Sequence, residues 1–235
     1  MLFLHGIRGN RRNWAGQVEF FSQHRFKAAA WDARGYGDSD DYEGTLQFEY
    51  FTGDVLRVAE YFKVKKLHLV GLSMGGRIAR NVALRAPERL HSLVLISTNP
   101  GFAALSSDAV KRFITERRSR TPQSLRRLLG SRPNHAAYQE LLDSVSRIHE
   151  ASYQKTLEAS VAQDRAAPIE QIRVPTLIIA GEEDTVYPPE LAQEMARRIP
   201  GAELMMFERT GHLANLEEPA RFNQAVLDFL SRHQP

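Results

Sequence analysis

The sequence contains no cysteine in its 235 residues. That removes any disulfide framework, any thiolate nucleophile and every Cys-based zinc or iron–sulfur site, and it fits a cytoplasmic protein. Long apolar runs are missing as well. The opening MLFLHG gives way at once to Gly and Arg, and no later stretch approaches the roughly 18 apolar residues that a membrane span needs. A soluble, unexported protein with no membrane partner is expected. Charge of one sign is scarce too: 31 Lys and Arg against 28 Asp and Glu leave a formal charge of only +3. The pI of about 9.3 therefore implies no nucleic-acid partner, because no basic stripe with stacking aromatics accompanies it. Internal repeats, low-complexity tracts and linkers are also absent. With 43% hydrophobic residues, the chain suits one domain over residues 1–235 with a sizeable core.

What is present is an alternation. Short β-rich runs at Leu2–Leu4, Lys27–Trp31, Leu67–Val70, Leu93–Ile96, Thr176–Ala180 and Glu203–Phe207 are separated by helix-period segments. Ile78, Val82 and Ala86 share one helical face, and Leu191, Met195 and Ile199 share another, each recurring at about every fourth residue. A last helix begins near Glu217-Glu218-Pro219, where acids and proline suit a helix start, and it buries Phe222, Val226, Phe229 and Leu230. The pattern implies an α/β fold, a mostly parallel central sheet with helices on both faces. Between about residues 100 and 167 the alternation breaks into polar helical pieces interrupted by Gly130 and Pro133. This segment reads as a helical cap inserted over the C-terminal edge of the sheet.

The apolar strand ending at Val70 runs into Gly71-Leu72-Ser73-Met74-Gly75 and then into the helix of Ile78 and Val82, which is G-x-S-x-G between a strand and a helix. A serine at the apex of so sharp a turn takes a strained backbone, and the positions two residues to either side have no room for a β-carbon. The hydroxyl then stands at the top of the sheet beside a helix N-terminus, where the Met74 N–H can meet a developing oxyanion. Taken alone, such a pentapeptide is only a flexible turn; its flanking strand and helix make Ser73 the candidate nucleophile.

A serine needs a base. His212, in Arg209-Thr210-Gly211-His212, follows the strand ending at Phe207 and can reach the same edge, whereas His24, His68, His91, His135, His149 and His233 have no such setting. The acid is expected between serine and histidine, after another strand, and Leu177–Gly181 delivers Glu182, Glu183 and Asp184 there. Asp184, just before the turn Thr185–Pro189, is the choice, in the chain order Ser…Asp…His. The alternative position after the preceding strand reads Ser97-Thr98-Asn99-Pro100 and has no carboxylate. His5-Gly6-Ile7 closes the first strand, so the Ile7 N–H can face that of Met74 as a second oxyanion donor; His5 itself reads as a structural hydrogen-bonding residue. Gly35-x-Gly37 lacks the third glycine of a dinucleotide fingerprint, Asp40 standing there. No cofactor and no metal are expected.

His5-Gly6, Asp32-x-Arg34-Gly35-x-Gly37-x-Ser39, Gly71–Gly75, Gly181–Asp184 and Gly211-His212 together resemble the α/β-hydrolase superfamily over nearly the whole chain. Within it, Pro188-Pro189, Gly211–Glu217 and Phe222-Asn223 are most similar to the 3-oxoadipate enol-lactonase group of small esterases and lactonases. The resemblance implies a serine hydrolase that cleaves a small ester or lactone through an acyl-enzyme. Carbon–carbon bond hydrolysis and perhydrolysis use the same triad and stay open, as does a non-catalytic small-molecule receptor on the same fold. Serine at the elbow disfavours haloalkane dehalogenase and epoxide hydrolase chemistry, for which the family uses aspartate. Family members usually carry two strands before the His-Gly strand, so either the sheet is shortened or the true start lies upstream. A shortened sheet leaves Lys27–Trp31 as an edge, expected to be covered or paired in a homodimer. Lys111, Arg112, Arg117, Arg118, Arg120, Arg126, Arg127 and Arg132 face only Asp108 and Glu116 in their stretch of the insertion. Such runs usually mark solvated helix faces; an anionic substrate is the sharper alternative.

Overall fold

The computed structural model describes residues 1–102, 108, 111, 114–115, 121–132, 134–163 and 167–233. Its centre is a six-stranded sheet of β1 (Leu2–Leu4), β2 (Ala29–Ala30), β3 (Leu67–Leu72), β4 (Leu90–Ile96), β5 (Thr176–Gly181) and β6 (Glu203–Phe207). The order is β2-β1-β3-β4-β5-β6, and every pairing is parallel. Parallel neighbours require crossovers, and the helices that supply them bury both faces. Successive side chains of a strand point to opposite faces, so the near-continuous apolar runs divide between two cores. Leu69, Leu93, Leu95 and Ile178 pack on one face with Val55 of α2 (Glu49–Tyr61), Ile78 and Val82 of α3 (Met74–Arg85), and a later helix's Met195. Phe3, Val70, Val94 and Ile179 pack on the other with Phe21 of α1 (Ala15–Gln23) and with the last helix. That helix, Pro219–Arg232, carries Phe222, Val226, Phe229 and Leu230 on its buried face. Each large apolar side chain removed from water contributes about 1.5–3 kcal/mol.

The insertion between β4 and β5 contains α4 (Pro122–Arg126), α5 (His135–Ser146) and α6 (Glu150–Gln163). The α4 start is capped by Thr121, whose hydroxyl accepts from Ser124 N at 3.2 Å. Asn134 caps α5 in the same way, taking Ala137 N at 2.8 Å. Gly130 falls between these two helices as expected; Pro133 lies outside the described residues. Then come α7 (Pro189–Arg198), α8 (Ala214–Glu217) and α9, the last helix.

The second strand is shorter than the expected Lys27–Trp31. Its register is Leu2↔Ala29 and Phe3↔Ala30, and after Trp31 N donates to Phe3 O at 3.2 Å the chain turns away into the Asp32 loop. Ala29 and Ala30 are half-buried. An edge of two residues offers almost no ladder to another chain, which is itself a protective device. Among the described residues no helix is long and apolar enough to cross a membrane.

Candidate active site

The site is assembled where β1, β3, β5 and β6 end. Ser73 sits between β3 and α3 with φ of 55° and ψ of −111°, a strained conformation for a residue with a β-carbon. Three bonds hold it there: Ser73 N donates to Ile96 O at 2.8 Å, and its carbonyl accepts from Thr98 Oγ1 at 2.8 Å and from Arg77 N at 3.1 Å. The glycine spacing has a direct cause. A β-carbon on Gly71 would lie 2.2 Å from Gly75 O, and one on Gly75 would lie 2.3 Å from Leu4 O. The elbow is thus wedged against the end of β1. Met74 opens α3, so its N–H belongs to the helix-start donors that no intrahelical carbonyl takes. Ile7 follows β1 in a loop lying against the elbow, since a β-carbon on Gly6 would stand 3.3 Å from Ser73 Cβ.

The loops after β5 and β6 are also apposed. A β-carbon on Gly181 would meet both Thr210 O and Gly211 O at 2.2 Å, and Glu183 N donates to Thr210 O at 3.0 Å. This brings His212 and Asp184 together: His212 Nδ1 lies 2.8 Å from Asp184 Oδ2, with both residues buried. The other carboxylate oxygen, Oδ1, accepts from Val186 N at 2.8 Å and Tyr187 N at 3.1 Å. Burial is the largest influence on this carboxyl and opposes its charge. His212 and the two backbone N–H groups together outweigh it and hold the group below its ordinary value. With Nδ1–H donated to the carboxylate, Nε2 is the basic nitrogen. Of the neighbouring glutamates, Glu182 is exposed and Glu183 accepts from Ser131 Oγ at 2.8 Å; neither bonds His212.

Ser73 and His212 line one narrow cavity of about 40 Å³, together with Ile7, Arg8, Asn13, Leu128 and Leu141 among others. Leu128 and Leu141 come from the β4–β5 insertion. His5 is buried with both ring nitrogens engaged: Nε2 accepts from Ala33 N at 3.1 Å and Nδ1–H donates to Gly6 O at 2.8 Å. Burial lowers its pKa, and an Nε2 that accepts the Ala33 N–H carries no proton. At Gly37, with φ of 54°, a β-carbon would strike the Asp32 carboxylate at 2.3 Å; that carboxylate accepts from Arg11 N at 2.7 Å and Asp38 N at 3.0 Å, making the loop a structural one. Among the described residues no group of three or more His, Asp or Glu could hold a metal ion.

In the basic run, Arg112, Arg117, Arg118 and Arg120 lie outside the described residues. Lys111, Arg126, Arg127 and Arg132 do not line the cavity. Arg126 stacks over the Tyr138 ring at 4.4 Å, and Arg132 pairs with Glu218. Among the described residues that line the cavity, the permanently charged one is Arg8, 6% exposed, to which the sequence motifs assign no role. Glu217 is a second residue missed: buried five positions after His212, it accepts backbone N–H groups from Gly130, Gly211 and Leu213. Burial raises its carboxyl pKa, opposed by those N–H groups and by His212. Its place in the Gly211–Glu217 stretch was the available signal.

A parallel sheet with a serine on the strained turn after one strand, and a carboxylate-bound histidine beyond two others, is the architecture of hydrolases of the α/β class. The family described as alpha/beta hydrolase fold matches residues 1–219, and the chain belongs to it. A 2-hydroxy-6-oxononadienedioate/2-hydroxy-6-oxononatrienedioate hydrolase of Paraburkholderia phymatum is 30% identical over 250 residues, covering 99% of this chain and 87% of the relative. The enol-lactonase of Burkholderia xenovorans LB400 superposes with a TM-score of 0.86 at 26% identity, over 98% of this chain and 90% of that one. A thermophilic esterase of Thermogutta terrifontis, solved with malate bound, gives a TM-score of 0.85 at 26% identity, over 100% and 90% of the two chains.

Proposed function

We propose that the protein is a serine hydrolase cleaving carboxylic esters or lactones through an acyl-enzyme. The observation that carries this reading is the buried 2.8 Å contact between His212 and Asp184 beside a cavity that His212 shares with the strained Ser73. In this reading His212 Nε2 takes the Ser73 hydroxyl proton as Oγ attacks the carbonyl carbon, while the Ile7 and Met74 N–H groups receive the oxyanion. Collapse of that intermediate breaks the acyl–oxygen bond, and the imidazolium returns the proton to the leaving alkoxide. Water, deprotonated by His212, then attacks the acyl-enzyme, and Ser73 leaves with its proton restored. A lactone differs only in that the alcohol stays tethered to the acid. Stoichiometric labelling by a fluorophosphonate, with turnover of p-nitrophenyl acetate or a γ-lactone, is the expected result. A folded protein that neither labels nor hydrolyses either would instead be a receptor on this fold.

Carbon–carbon bond hydrolysis is the second reading, favoured by the P. phymatum relative. A compound named as an oxo-dienedioate has a ketone and two carboxylates but no ester, so water can cleave it only between carbons, with the departing carbon taking the proton. Preference for a vinylogous diketone over both oxygen esters would select this reading.

Either way the substrate is proposed to carry a carboxylate. Arg8 is the one permanently charged residue among the described residues lining the cavity, and a buried guanidinium is matched to a planar anion. Arg8→Met is expected to lower kcat/KM for mono-p-nitrophenyl succinate about 10–100-fold, as loss of a charged hydrogen bond would, and to spare p-nitrophenyl butyrate. Equal losses on both esters would remove Arg8 from substrate recognition.

A further inference from the structure

His212 stands on a short loop between β6 and α8, and its own side-chain bond to Asp184 fixes only one of its ring nitrogens. The backbone on both sides of it is fixed by Glu217. Glu217 Oε1 accepts from Gly211 N at 3.0 Å and from Leu213 N at 3.2 Å, the two residues flanking the histidine. Oε2 reaches across to Gly130 N at 2.6 Å, in the connector between α4 and α5. From that connector Leu128 O accepts the His212 N–H at 2.8 Å. The approach is close enough that a β-carbon on Gly130 would lie 2.3 Å from Arg209 O. The same connector holds the acid loop: Ser131 Oγ donates to Glu183 Oε1 at 2.8 Å and Thr185 Oγ1 to Arg127 O at 3.0 Å.

We propose that Glu217 is a positioning residue that sets His212 against Ser73 and Asp184, with the 127–132 connector as the strap joining the acid and base loops. The proposal rests on His212 being the base. A carboxylate suits the place. It accepts through both oxygens and donates nothing, and three N–H groups converge on it. Glutamine would turn an NH₂ toward one of those donors, and aspartate would be a methylene too short to reach the connector and the loop together. Because Leu128 of the strap also lines the cavity, a substrate pressing on it is linked to the base directly through the Leu128 O–His212 N–H bond and indirectly through Gly130 and Glu217.

The test compares Glu217→Gln with the full-length wild type on p-nitrophenyl acetate, alongside the low-field Nδ1 proton of His212 in protein labelled with ¹⁵N-histidine. The expected result is a kcat lower by about 10–100-fold, the scale of a small misplacement of a catalytic group, with KM within about twofold. Faster solvent exchange of the His212 Nδ1 proton is expected as well. A purely structural role would lower Tm and leave both the kcat of folded protein and that proton unchanged, and this outcome overturns the proposal. Should Glu217→Gln not fold, Glu183→Ala decides instead. Combined with Thr185→Val it removes the Ser131 and Arg127 bonds that join the strap to the acid loop, and wild-type kcat and proton exchange in that double variant overturn the proposal. The proton measurement needs no turnover, so a wild type inert toward every ester would count against the hydrolase reading and leave this test standing.

Discussion

Ser73→Ala is expected to lower kcat toward p-nitrophenyl acetate by about 10⁴–10⁶-fold, or roughly 5–8 kcal/mol of barrier, while leaving Tm and ligand binding close to wild type. The fold should survive because alanine keeps the β-carbon. The backbone strain at φ of 55° is the same for both residues, and the three bonds that hold the elbow all involve the Ser73 main chain. What disappears is the atom that forms the acyl-enzyme, so fluorophosphonate labelling should vanish with the activity. Steady-state kinetics and mass spectrometry of the labelled protein check both parts. Hydrolysis near the wild-type rate would assign the chemistry to another group.

Asp184→Asn should cost about 10⁴-fold in kcat with little change in KM, although it alters no atom that touches substrate. Asp184 uses its two oxygens differently, Oδ1 for the Val186 and Tyr187 N–H groups and Oδ2 for His212. An asparagine satisfies the two backbone donors with its single oxygen and then presents an NH₂ to Nδ1. The imidazole is forced to accept at Nδ1 and carry its proton on Nε2, where no base remains. The same substitution should flatten the acid limb of stability. The Asp184 carboxyl is held below its unfolded value of 3.8 in the native protein, so its contribution is present above that value and is lost as pH falls through the lower folded one. Tm measured between pH 5 and 2 should therefore fall less steeply in the variant. Parallel curves would show that the Asp184 carboxyl titrates alike in the native and the unfolded protein.

How far the sequence carries depends on whether the determinant is local. β1 and β6 run over the residues their apolar patterns mark, and the glycines around Ser73 announce the elbow because their need is met within a few residues. β3 extends past Val70 because Gly71 and Leu72 still pair with Leu95 and Ile96, and β2 shrinks because β1 supplies a register for only two residues; both depend on a neighbouring strand. Arg8 lies beside a motif that is legible, yet its burial depends on what is folded over it. Glu217 is the sharpest case. Its partner Gly130 is 87 positions away, and its place in the Gly211–Glu217 stretch marks the glutamate without saying that three amides converge on it. The basic run shows its sign in the sequence, but where its described members, Lys111, Arg126, Arg127 and Arg132, lie relative to the cavity is set by the packing of the insertion.

The alternation along β3, β4 and β5 that sends Leu69, Leu93, Leu95 and Ile178 one way and Val70, Val94 and Ile179 the other leaves two interiors with only a backbone between them. Substitutions deep in one, such as at Ile78, share no side-chain partners with those in the other, such as at Phe229, and changes without shared partners add. Stabilising changes can therefore be optimised separately on each side of the sheet and combined afterwards. The catalytic edge, where loops from both sides converge, is where that independence ends and combined substitutions must be tested together.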